Sequence, residues 1–99
     1  MVRFIWEFVA RPERIEEFER YYASNGMWVD LFRKGAGYIG TQLLRDADNP
    51  RRYLTIDSWE STRAQRNWRE RFAKEYDQLD RLCQAFTESE RMLGIFEGK

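Results

Sequence analysis

The sequence contains no histidine and a single cysteine, Cys83. Without a second thiol there is no internal disulfide, and without imidazole a zinc or haem site built from protein ligands loses its usual donors. Ser-His-Asp and Cys-His nucleophiles are excluded on the same ground. An excess of one charge is also missing: 17 basic residues stand against 17 acidic ones, so no net field draws nucleic acid, an anionic membrane or an acidic substrate from a distance. No apolar run approaches the roughly 18 residues of a membrane span, and Arg3 and Glu7 interrupt the region that a signal peptide would keep apolar. The glycines Gly35, Gly37 and Gly40 lack the lysine and the following helix of a phosphate-cradling loop. These absences predict a cytoplasmic protein with no membrane or nucleic-acid partner, no metal and no cofactor.

Aromatic side chains, by contrast, are abundant. They make up 16% of a chain of 99 residues, more than a small core needs to exclude water, so some rings are expected to line an interface or a pocket. The length suits one domain, residues 1–99, with no room for a second.

Val2 to Ala10 reads as a strand, with Phe4, Trp6 and Phe8 alternating against Ile5, Glu7 and Val9. Pro12 suits the first position of a helix carrying Ile15, Phe18 and Tyr22 on one side, which Asn25-Gly26 ends. Met27 to Lys34 reads as a short extra helix bounded by Gly35 and Gly37. Tyr38 to Asp46 and Arg52 to Trp59 read as two strands joined by a turn containing Asn49-Pro50. Ser58 or Ser61 can cap a long helix with the apolar stripe Ala64, Trp68, Phe72, Tyr76, Leu79, Cys83 and Phe86, with a break expected near Ala73 to Glu75. Arg91 to Glu97 reads as a last strand, Leu93 and Ile95 alternating against Met92 and Phe96.

The predicted fold class is therefore α+β, a ferredoxin-like βαββαβ antiparallel sheet with its helices on one face. Each strand nevertheless points apolar groups both ways, and a bare apolar sheet face is rare on a soluble monomer. The simplest cover is the same face of a second copy, which predicts a homodimer through the sheet.

That order, with Gly37-Tyr38-Ile39-Gly40, Leu43-Leu44-Arg45-Asp46 and above all Tyr53-Leu54-Thr55-Ile56-Asp57-Ser58-Trp59-Glu60-Ser61 leading into a helix, resembles the antibiotic biosynthesis monooxygenase family of dimeric α+β barrels over nearly the whole chain. The resemblance implies a dimer with a small apolar cleft. It also implies one of several activities: oxidation of aromatic polyketides by dioxygen without metal or flavin, haem degradation, or no catalysis. The haem degraders use a histidine on the second helix, and the matching region around Tyr76-Asp77-Gln78 has none. Their helix tryptophan is matched by Trp68, nine residues beyond Trp59.

Among candidate site residues, Trp68 sits in an otherwise charged turn and either packs the core or lines the cleft. Trp6 is expected to anchor the interface between copies; the alternative places it opposite Trp68. Asp57 lies inside a strand, where a carboxylate is costly unless paired. An ion pair with Arg45 is the first expectation, and a raised pKa and a general-base role the second. Glu7 is expected to pair with a basic residue across the sheet. Tyr38, Tyr53 and Tyr76 could each offer a phenol to a substrate, with Phe72 as a further wall, although each also fits a core. Arg63, Arg66, Arg69 and Arg71 read as a solvated helix face or an anion site, and Cys83 as a small buried hydrophobe.

Two functions follow: a cofactor-independent monooxygenase acting on a small aromatic or polyketide-like molecule, with Asp57 and Trp68 central, or a non-catalytic dimer that binds or senses such a molecule. An RNA-recognition domain shares the element order, but Arg52-Tyr53-Leu54-Thr55-Ile56-Asp57 lacks its basic, glycine-and-aromatic strand signature.

Overall fold

A computed structural model describes all residues 1–99. Four strands, β1 (Val2–Ala10), β2 (Tyr38–Arg45), β3 (Arg52–Trp59) and β4 (Thr87–Glu97), form one sheet in the order β2-β3-β1-β4. Every pairing is antiparallel. Helices α1 (Ile15–Tyr22), α2 (Met27–Phe32), α3 (Thr62–Arg71) and α4 (Ala73–Cys83) complete the chain. The predicted α+β ferredoxin-like arrangement is the one observed.

Alternation decides what each strand buries. On β1, Val2, Phe4, Phe8 and Ala10 are buried while their neighbours Arg3, Ile5 and Val9 are only partly so. On β3, Tyr53, Thr55, Asp57 and Trp59 are buried and Arg52, Leu54, Ile56 and Ser58 are not. One face of the sheet thus meets the helices and the other is left uncovered. The uncovered face carries Ile5, Leu54 and Ile56, with exposed Leu44 and Phe96 at its margins. It also carries an ion network: Glu7 accepts from Arg52 Nε at 2.8 Å and from Arg91 Nη2 at 2.9 Å, so the expected cross-strand pairing is present.

The helices follow their stripes. Pro12 opens a single 3-10 turn ahead of α1, whose Phe18 is fully buried and stacks on Tyr22 at 4.4 Å between ring centroids. Ser61 caps α3, its Oγ accepting from the Ala64 N–H at 3.1 Å. The break in the long helix falls at Phe72, with φ −109° and ψ 30°, one residue ahead of the expected region. Between α2 and β2, Gly37 has φ +91°, a conformation that side chains disfavour, and a Cβ there would also strike Ala64.

Two features of β4 differ from the sequence reading. It begins at Thr87 rather than Arg91, because Ser89 and Glu90 pair with Val9 and Phe8 of β1. Thr-Glu-Ser-Glu has no strand signature of its own; the neighbouring strand recruits it. Second, a bulge at Leu93 breaks the alternation: Ile5 pairs with Gly94 but Trp6 with Met92. Met92 and Ile95, expected on opposite faces, therefore both turn toward the helices.

Candidate active site

Between the sheet and the helices lies a cavity of about 480 Å³. Its floor is Phe4, Trp6 and Phe8 of β1 with Thr55, Asp57 and Trp59 of β3 and Thr41 of β2. Trp28 and Phe32 of α2, Trp68 and Arg69 of α3, and Tyr76 and Asp80 of α4 form the roof. Glu90, Met92 and Ile95 of β4 form one side, and Met92 and Ile95 are also exposed to solvent. Rings from α2, α3 and β3 pack against one another along its wall. Phe32, Trp59 and Trp68 meet edge-to-face or tilted at 5.0 to 6.1 Å between centroids, geometries that aromatic pairs prefer.

Four of the seven predicted site residues come together here: Asp57, Trp68, Trp6 and Tyr76 all line the cavity. The other three do not. Tyr53 is buried under α1, its ring 4.7 Å from that of Phe18, and donates its hydroxyl to Glu19. Phe72 lies in a separate shallow pocket on the outer side of α3, flanked by Lys34 and Arg71. Tyr38 packs on Phe32 and Trp59 outside the cavity. Trp6 turns to the helix side of the sheet, stacked with Phe8 at 6.3 Å, and so lines the cavity instead of the uncovered face on which a second copy was expected to meet it.

Trp68 offers the site a ring and nothing more. Its indole N–H donates to the Leu31 carbonyl at 2.9 Å, and Gly35 packs so closely that a Cβ there would lie 2.7 Å from Trp68 Cδ1. The side chain is pinned from both sides.

Asp57 makes no ion pair, contrary to the first expectation: Arg45, the expected partner, instead approaches Glu19 at 3.8 Å. Register explains this, since Arg45 stands opposite Tyr53 and Thr41 stands opposite Asp57. Thr41 Oγ1 donates to Asp57 Oδ1 at 2.8 Å. Burial dominates over that bond and pushes the Asp57 carboxyl from its usual 3.8 up to about 6. A carboxylate with that affinity for protons, walled by aromatic rings, is suited to accept a proton near neutral pH.

The opposite end of the cavity is polar in a different way. The Arg69 guanidinium lies 3.6 Å over the Tyr76 ring and 3.5 Å from Asp77, so it belongs to the site and not to a purely solvated face. Glu90 is raised by burial and then by the nearby Asp80 charge. The Trp28 indole N–H is buried without a hydrogen bond, with the Tyr22 hydroxyl and the Cys83 thiol as its polar neighbours. Burial pushes the Cys83 thiol up to about 11, which leaves it protonated and inert, as its place on the apolar stripe predicts.

Sequence reasoning missed Trp28, Arg69 and Glu90 as lining residues. Trp28 had a signal, an aromatic flanked by Val29, Leu31 and Phe32 on a short helix; Glu90 had none, because its strand is visible only through pairing.

The same architecture recurs in solved structures. SnoaB, a cofactor-independent oxygenase from Streptomyces nogalater, superposes with a TM-score of 0.75 at 23% identity, over 99% of this chain and 92% of that one. PA3566 from Pseudomonas aeruginosa gives 0.72 at 17% identity, over 99% and 93%. A conserved protein from Methanosarcina mazei Go1 gives 0.74 at 14%, over 99% and 92%. At these identities the shared property is the fold. No curated protein matches the sequence. The family model for antibiotic biosynthesis monooxygenase matches residues 1–88, and the chain belongs to that family.

Proposed function

We propose that this protein is a cofactor-independent monooxygenase of a small hydroxyaromatic or polyketide-like molecule, with Asp57 as its base. The observation that carries the reading is the carboxylate itself: buried in an aromatic cavity, unpaired by any cation and raised to about 6. A module that only binds a hydrophobic molecule has no need of such a group, which costs stability. Asp57 takes a proton from an activated C–H or phenol, and the resulting anion supplies electrons to dioxygen between the aromatic walls of the cavity. Dioxygen then divides: one oxygen atom becomes a carbonyl on the substrate carbon, replacing its two hydrogens, and the other leaves as water. SnoaB, described as a cofactor-independent oxygenase, supports this class of chemistry on this fold. Trp6, Trp28 and Trp68 supply flat surfaces for the ring system, and Tyr76 and Arg69 supply polar contacts at the far end.

The active form is a homodimer joined through the uncovered sheet face. Ile5, Leu54 and Ile56 lie there with exposed Leu44 and Phe96, a combination that a soluble monomer seldom leaves bare.

Oxygen uptake with a panel of phenols and quinols tests the function. Consumption by the wild type that falls at least tenfold in Asp57→Asn and in Trp68→Ala is the expected result. Stable binding of the same compounds with no consumption above those variants would return the protein to the binding class.

A further inference from the structure

Two hydroxyls stand in line behind the cavity carboxylate. Tyr38 Oη lies 2.7 Å from Thr41 Oγ1, which in turn donates to Asp57 Oδ1 at 2.8 Å. The single Thr41 proton is committed to Asp57, so Tyr38 is the donor in the bond between the two hydroxyls. The chain therefore has one direction, from Tyr38 through Thr41 to Asp57. Strand alternation alone would turn Tyr38 away from Thr41, three residues on. The register shift between Tyr38 and Gly40 brings it round to the same face.

Asp57 Oδ2 is left differently. It accepts no hydrogen bond from the protein and is not sealed off, so it is the oxygen open to the cavity.

We infer that Thr41, oriented by Tyr38, is a positioning residue that sets the basicity of Asp57 and presents Oδ2 to the ligand. This rests on the reading of Asp57 as the base. A donor aimed at Oδ1 favours the ionised carboxylate and opposes the burial that disfavours it. It also fixes the carboxylate plane, because rotation would break the bond. No other group takes that part. Phe4, the partner of Asp57 on β1, is apolar; Arg69, Tyr76, Asp80 and Glu90 face the cavity without bonding to Asp57. Burial raises the Tyr38 phenol above its ordinary range and the Asp57 charge adds to that, while the contact with Thr41 and the nearby Arg33 act in the opposite direction. Tyr38 thus senses the charge on Asp57, as members of one chain should.

Carbon-13 NMR titration of the aspartate carboxyls in the whole resting protein tests the inference, with Asp57 assigned by its absence in Asp57→Asn. Thr41→Val, close to isosteric, should raise the Asp57 pKa by about one unit, and Thr41→Ser should restore it. Tyr38→Phe should raise it by less in the wild-type background and not at all in Thr41→Val, where the chain is already cut. An unchanged Asp57 pKa in Thr41→Val would overturn the inference. So would a Tyr38→Phe effect of equal size in both backgrounds, since Tyr38 would then act without Thr41. The titration needs no substrate, so its failure is distinct from that of the base itself. The base fails only if Asp57→Asn keeps its oxygen uptake, and in that case the positioning role falls with it even where the tuning is measured.

Discussion

Replacing Asp57 with Asn exchanges a group that titrates inside the fold for one that does not, and the consequence for stability has a definite sign and pH window. Burial holds the folded-state pKa at about 6 against an ordinary value of 3.8. The fold therefore binds this proton more tightly than the unfolded chain does. Its contribution to stability is complete below pH 3.8 and is lost as the pH rises through about 6. At about 1.4 kcal/mol per unit, a shift of this size corresponds to about 3 kcal/mol between pH 4 and pH 8. Asp57 is only 8% exposed, so solvent screening removes little of it. Asparagine keeps an oxygen for the Thr41 hydroxyl and never ionises. Asp57→Asn should thus match the wild type near pH 4 and exceed it by about 3 kcal/mol at pH 8. Urea unfolding of both proteins at several pH values and one protein concentration measures the difference, in which every other titrating group cancels. A difference that stays flat from pH 4 to 8 would refute the claim that Asp57 ionises at a cost.

Other substitutions probe the remaining parts. Trp68→Phe keeps a ring against the cavity but removes the indole donor to the Leu31 carbonyl, which retains its bond from the Lys34 N–H, and should cost about 0.5–1.5 kcal/mol in chemical denaturation. Trp68→Ala should cost about 3–5 kcal/mol because it also empties the space, and equal losses for the two variants would show that the hydrogen bond dominates. Gly35→Ala drives a methyl against Trp68 Cδ1 and should lower stability by about 1–3 kcal/mol while altering the near-ultraviolet circular dichroism; an unchanged spectrum would mean that the loop yields instead of the indole. Ile56→Glu places a charge in the middle of the uncovered face and should convert a dimer into monomers in sedimentation equilibrium, whereas a wild type that is already monomeric at micromolar concentration would remove the proposed interface.

The elements with strong periodicity were legible from the residues alone. Phe4, Trp6 and Phe8 on one side of β1, Phe18 and Tyr22 on α1, and the Ser61 cap all behave as their spacing dictates. What the sequence concealed depends on pairing. Glu90 lies on the cavity because β1 recruits a polar segment, and Met92 joins Ile95 because of one extra residue at a bulge. The neighbours of Asp57 are of the same kind. Arg45 is a better electrostatic partner than Thr41, yet the β2–β3 register sets Thr41 across from Asp57 and sends Arg45 to Glu19. Asp57 and Trp68 could be singled out because a carboxylate inside a strand and a tryptophan among charges are locally anomalous; which atoms they leave free is a three-dimensional property.

The pH dependence of kcat/KM for oxygen uptake bears most directly on the account as a whole. With Asp57 as the base, the rate should rise through an apparent pKa near 6 to a plateau, and Asp57→Asn should be slow and show no such rise. A wild-type profile without an inflection in that region, or an Asp57→Asn profile that reproduces it, would place the proton-accepting group elsewhere.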